Sequence, residues 1–175
     1  MSTTEQTATA KHIEIDILAQ TLTLFENNQV VACYPVSTAK NGAGETNGSE
    51  CTPRGEHQIR AKIGTNAAEN TVFVGRRATG EIYSASLGQQ YPERDWILSR
   101  ILWLSGLERG KNRGGEVDTM RRYIYIHGCP DEDSFATPSS HGCVKMRNKD
   151  IIDLYERIDA GIRVRINDTD LQQDK

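Results

Sequence analysis

The chain has 175 residues, 37% hydrophobic and 26% charged, with 21 basic and 24 acidic side chains and a net charge of −3. That size fits one domain whose core needs neither metal nor disulfide to hold it. The charge balance speaks against a nucleic-acid or anionic-membrane partner, and no apolar run approaches the ~18 residues of a membrane-spanning helix.

In chain order, residues 1–11 read as a flexible tail, 12–167 as a single domain and 168–175 as a second tail. The opening MSTTEQTATA has neither the basic nor the apolar region of a secretory signal. The expected location is the cytoplasm, or the periplasm if an export signal has been removed. Cys33, Cys51, Cys129 and Cys143 are then expected as free thiols.

Ile13, Ile15 and Ile17 alternate with polar residues, and Leu22 and Leu24 resume the alternation, which predicts strands. Asn27-Asn28 predicts a hairpin turn into a strand over Val30–Val36. Residues 40–56, rich in Gly, Asn and Thr, read as a loop. Short strands follow at Glu56–Ile63, Thr71–Val74 and Glu81–Ser86. Over Glu93–Leu107, Ile97, Ile101 and Leu104 share one helical face, which predicts a helix, packed on the core or offered to a partner. Tyr123–Ile126 reads as strand. Asn148 is the expected N-cap of a helix carrying Ile151, Leu154, Tyr155 and Ile158 and closed by Gly161, and Ile162, Val164 and Ile166 form a last strand. The sum is a mainly β domain with two helices.

Chemistry concentrates in Ile126-His127-Gly128-Cys129-Pro130 and Ser139-Ser140-His141-Gly142-Cys143-Val144-Lys145-Met146. A lone cysteine is usually a small apolar filler. Cys143, however, follows His141 and Gly142, and His127 stands 16 residues upstream at a strand end. A nucleophilic cysteine needs a base within reach and a setting that raises its thiolate fraction.

At these residues the chain resembles the L,D-transpeptidase catalytic domain (YkuD) family. The resemblance rests on His127-Gly128 and Ser140-His141-Gly142-Cys143-Val144-Lys145-Met146, with Thr52-Pro53-Arg54-Gly55 and Tyr34-Pro35-Val36-Ser37-Thr38 as further landmarks, and it runs from about His12 to Ile166. It implies a β-sandwich or barrel with two helices, Cys143 as nucleophile and His127 as base. It also implies a peptidoglycan stem peptide as substrate, cut between an L-centre, usually that of meso-diaminopimelate, and D-alanine. The backbone amides of Gly142 and Cys143 are the expected oxyanion donors. Ser140, His141 and Gly128 are expected to support and orient, with direct proton transfer by His141 left open. Carbapenems are expected covalent inhibitors, and the chemistry requires no cofactor or metal.

Lys145 stands where the family commonly has Arg or Asn, so a bidentate grip on a substrate carboxylate becomes a point-charge contact, shared with Arg147. Cys129 stands where a small hydroxyl residue is common, and reads as a buried side chain near the site. The acceptor is expected to be water, making an L,D-carboxypeptidase of murein recycling; the alternative is a wall-located transpeptidase that forms cross-links. From a different class, His127-x-Cys129 and His141-x-Cys143 could form a zinc site in a structural or interaction module, though zinc ligands are usually spaced more widely.

Overall fold

The computed structural model describes residues 10–168. The chain runs β1 (Lys11–Asp16), β2 (Thr21–Glu26), β3 (Gln29–Pro35), β4 (Gly55–Ile63), β5 (Thr71–Val74), β6 (Arg77–Ile82), α1 (Ala85–Gln90), β7 (Ile97–Gly106), β8 (Tyr125–Cys129), β9 (Val144–Arg147), α2 (Asn148–Arg157) and β10 (Arg163–Asn167). Of the two expected tails, residues 1–9 and 169–175 lie outside the described residues, and Lys11 already opens β1.

The strands form one curled sheet in the order β3-β2-β1-β10-β4-β7-β5-β6, with β8 and β9 continuing from β7. β8 must occupy the edge of β7 opposite to β4, because both pair with Ile101–Trp103. Alternation in β1 and β2 sends Ile13, Ile15, Leu22 and Leu24 to one buried face. There they meet Ile151, Leu154 and Tyr155 of α2, together with Ile126, Val144 and Met146. Asn27 and Asn28 turn the β2–β3 hairpin with φ of 51° and 63°, the left-handed pair that a two-residue loop between twisted strands demands.

Two assignments differ from the expectation. The helix expected over Glu93–Leu107 is β7, the strand on which β4, β5 and β8 all pair. It is covered on both faces, so its apolar residues run almost continuously and mimic a helical stripe. The second helix lies earlier. The strand expected to reach Ser86 stops at Ile82, and the Ser84 hydroxyl caps α1 by accepting from the Leu87 amide at 3.2 Å.

α2 carries the expected stripe, but Asn148 is its first helical residue and the helix ends before Gly161. The Asn148 side chain is fully buried and ties four segments together. Its Nδ2 donates to the Cys129 carbonyl (2.9 Å), Asn70 Oδ1 (3.1 Å) and Asp131 Oδ1 (3.2 Å), while its Oδ1 accepts from Ser99 Oγ (2.6 Å). The end of β8 and the start of α2 are thereby locked to a bulge in β7.

Candidate active site

β8 and β9 run parallel, with Ile126 opposite Val144, His127 opposite Lys145 and Gly128 opposite Met146. Side chains alternate across a sheet, so Ile126, Val144 and Met146 face the core. Tyr125, His127, Cys143 and Lys145 therefore share the other face. The Tyr125 amide points at the Cys143 sulfur from 3.4 Å, and the thiol lies 3.5 Å from the Tyr123 carbonyl. One strand pair thus sets the thiol and the imidazole on a common surface.

His127 is 1% exposed, and its Nδ1 lies 2.7 Å from the Gly128 carbonyl. A carbonyl only accepts, so Nδ1 carries the proton and Nε2 keeps a free lone pair. Burial holds the imidazole below its ordinary pKa, against the pull of Asp95 and the Gly128 carbonyl. At neutral pH His127 is a base with one orientation.

Burial also pushes the Cys143 thiol up to about 12, opposed by the Tyr125 amide and by the charges of Lys145 and Arg122. The residue keeps some exposed surface, so a substrate carbonyl can reach the sulfur while protein displaces most of the water that would stabilise a thiolate. Burial thus works against the raised thiolate fraction expected from sequence. Both shifts favour the uncharged forms, a neutral thiol and a neutral imidazole on one face of the sheet.

The loop bearing Cys143 is fixed from below. Ser140 Oγ donates to the Cys143 carbonyl (2.5 Å) and accepts from the Gly142 amide (3.2 Å). Thr52 Oγ1 donates to the Gly142 carbonyl (2.9 Å) and accepts from the Ala39 amide (3.0 Å). Ser37 exchanges main-chain hydrogen bonds with Lys145. Gly142 sits at φ 133°, and a Cβ there would meet Ile124 at 3.0 Å and the Cys51 carbonyl at 3.2 Å. Of the two expected oxyanion donors, the Gly142 amide is occupied by Ser140, whereas the Cys143 amide has no partner among the described residues.

Gly128 is required by closeness: a Cβ would lie 2.4 Å from the Leu98 carbonyl and 2.7 Å from Asn148 Oδ1. His141 is exposed and makes no side-chain hydrogen bond among the described residues, so no contact here gives it an orienting role. Lys145 faces the site but is paired with Asp133 at 3.5 Å. Arg147 is exposed and lies 4.7 Å above the Phe135 ring. Cys129 is buried, its thiol 3.4 Å from the Met146 carbonyl. The four residues of the zinc alternative therefore do not converge, and no cluster of three or more His, Cys, Asp or Glu suited to a metal occurs among the described residues.

An aromatic and cationic wall, not among the residues expected from sequence, stands beside the thiol. Cys143 packs in the cluster of Phe73, Ile101 and Tyr125, with Trp103 at its edge. Arg76, in the turn between β5 and β6, donates to the Tyr125 hydroxyl (2.9 Å) and stands over the rings of Trp103 (4.6 Å) and Tyr123 (5.0 Å). Arg122 binds the carbonyls of Gly44, Glu45 and Cys51, holding their loop near Gly142. These residues lie outside the two short motifs, and no spacing rule connects them. The one available signal was the Gly75-Arg76 pair between alternating strands.

The family model of the L,D-transpeptidase catalytic domain, YkuD, matches residues 10–166. YkuD of Bacillus subtilis (strain 168), classed as an L,D-transpeptidase, is 25% identical over 161 residues, 89% of this chain and 65% of its own length. The solved structure of L,D-transpeptidase 3 from Mycobacterium tuberculosis, in complex with a faropenem-derived adduct, aligns with a TM-score of 0.57 at 15% identity. It covers 91% of this chain and 61% of that one. The L,D-transpeptidase LdtMt1 in complex with imipenem aligns with a TM-score of 0.53 at 18% identity, over 91% of this chain and 59% of that one. The chain thus spans less than two thirds of each relative's length, and the two structures share its curled, mainly β fold with two helices. With the family model matched over nearly all the described residues, the chain belongs to the L,D-transpeptidase catalytic domain family.

Proposed function

We propose that this protein is a cysteine acyl-transfer enzyme that cleaves the bond between the L-centre of meso-diaminopimelate and D-alanine in peptidoglycan stem peptides. We further propose that it acts as an L,D-carboxypeptidase, converting tetrapeptide to tripeptide in murein recycling. The observation that carries the chemistry is the shared face of Cys143 and His127, with His127 Nδ1 held by the Gly128 carbonyl.

The Cys143 thiol attacks the scissile carbonyl carbon as its proton passes to His127 Nε2, and the amide of Cys143 faces the developing oxyanion. Collapse breaks the C–N bond, and the imidazolium returns the proton to the departing D-alanine amine. A thioester remains. Water, deprotonated by the same Nε2, then attacks the thioester, and the thiol is restored as the carboxylate forms.

The choice of water as acceptor follows from the proposed compartment. All four cysteines are free thiols, with Cys33 exposed, a pattern that fits a reducing cytoplasm better than an oxidising periplasm. There the substrates are soluble wall fragments rather than a second polymer strand. β-Lactams of the carbapenem class are proposed covalent inhibitors at Cys143, in keeping with the imipenem complex and faropenem adduct of the two solved relatives.

The test mixes purified tetrapeptide with excess acceptor amine and separates the products by mass. Tripeptide and free D-alanine are expected to dominate. Predominant cross-linked dimer would favour the wall-located transpeptidase, and no conversion of any stem peptide would refute the proposed substrate class.

A further inference from the structure

We propose that Arg76, at the tip of the β5–β6 hairpin, binds the free C-terminal carboxylate of the donor peptide and makes the enzyme selective for stems that end in an unmodified D-alanine. This inference rests on the stem-peptide reading above and adds the residue that reads the leaving group.

The carboxylate of a terminal D-alanine lies roughly 4 Å from the scissile carbonyl carbon, two covalent bonds beyond the scissile nitrogen. A cation that reads it must therefore stand within a side chain's length of the thiol. Lys145 was the sequence-based candidate, but Asp133 already neutralises it and would repel a second carboxylate. Arg147 is exposed and stacked on Phe135.

Arg76 differs on each point. No carboxylate lies within ion-pair distance of it among the described residues. Its one hydrogen bond among the described residues, to the Tyr125 hydroxyl, leaves the other guanidinium N–H groups open. Tyr125 is also the residue whose amide meets the Cys143 sulfur, and Tyr123, over which Arg76 stands, supplies the carbonyl on the sulfur's other contact. Its place over Trp103 and Tyr123 restrains the guanidinium beside the thiol, and its planar fork matches a carboxylate. Gly75 and Arg76 both take positive φ (55° and 63°), which turns this hairpin tip in two residues. Arginine is not a residue that such a turn prefers, and here its side chain lies on the aromatic wall beside the thiol.

The experiment compares kcat/KM for two donors, the tetrapeptide and the same peptide with its terminal carboxylate converted to an amide, in wild type, Arg76→Gln and Arg76→Lys. Thermal melting confirms that each variant is folded. Loss of a charge-assisted pair predicts that wild type prefers the acid by about 10- to 100-fold, mainly through KM. Arg76→Gln should bring that ratio close to one, and Arg76→Lys should restore part of it. A folded Arg76→Gln that keeps the wild-type ratio would overturn the inference, as would an active wild type that does not distinguish acid from amide. A wild type that cleaves neither donor would instead remove the stem-peptide reading, and this inference with it.

Discussion

His127 can hold its proton in one place only, because the Gly128 carbonyl at 2.7 Å accepts and cannot donate. The free nitrogen is thus a base before substrate arrives, and burial keeps it unprotonated below the ordinary imidazole pKa of about 6.5. The acid limb of kcat/KM should therefore fall below pH 6.5. With the Cys143 thiol pushed up to about 12, the rate should stay flat between about pH 7 and 9 rather than rise as a thiolate forms. A pH–rate profile of the wild type checks both limbs. His127→Ala should lower the rate by roughly 10²- to 10⁴-fold. Cys143→Ala should abolish turnover and the mass adduct left by a carbapenem; an adduct persisting in Cys143→Ala would place acylation elsewhere. That Cys143 and His127 lie on one face was legible from the short motifs, because each sits in or next to a short strand whose side chains alternate. The resting protonation was not, since it depends on how much protein surrounds the sulfur. Arg76 and Tyr125 reach the site from distant segments and leave no local pattern.

At the scale of elements, the approach of β7 and α2 to the end of β8 fixes the geometry around the base. Gly128→Ala would push a methyl group into the Leu98 carbonyl and Asn148 Oδ1. Backbone cannot yield as a flexible side chain does, so the expected cost is about 1–3 kcal/mol. That should lower the melting temperature by roughly 2–4 °C per kcal/mol, measurable by calorimetry, and should reduce activity more than stability because the His127 acceptor carbonyl belongs to Gly128. Strands with one buried face were readable as alternation, as in β1, β2 and β10. β7 was not, because cover on both faces erases the period of two. The α2 stripe was readable, but the Asn148 side chain serves the β7 bulge and the β8 end instead of its own helix terminus.

For the whole molecule, acid stability turns on a histidine far from the chemistry. His57 in β4 is fully buried, with Nε2 3.0 Å from Thr119 Oγ1 and Nδ1 3.0 Å from the Gly55 carbonyl. Burial lowers it to about 4, opposed by the Gly55 carbonyl and by Glu108 and Glu56. The unfolded chain therefore takes up this proton first as pH falls. Stability should be full above about pH 6.5 and decline towards pH 4, by on the order of 3 kcal/mol for this group. His127 adds to it in the same direction. Urea midpoints measured from pH 7.5 to 4.5 should trace the fall, and His57→Asn should flatten its slope. A midpoint independent of pH would show that His57 is not buried in this neutral state.

The parallel pairing of β8 with β9 also governs how this gene can change length. His127 and Cys143 meet because the two strands are in a fixed phase, not because fifteen residues lie between them. An insertion in the exposed stretch near Ser134 lengthens a tether and leaves that phase untouched. One residue added within β8 or β9 turns the following side chains of that strand to the opposite face and breaks this phase. Viable lineages should therefore record many indels between the two motifs and none inside them.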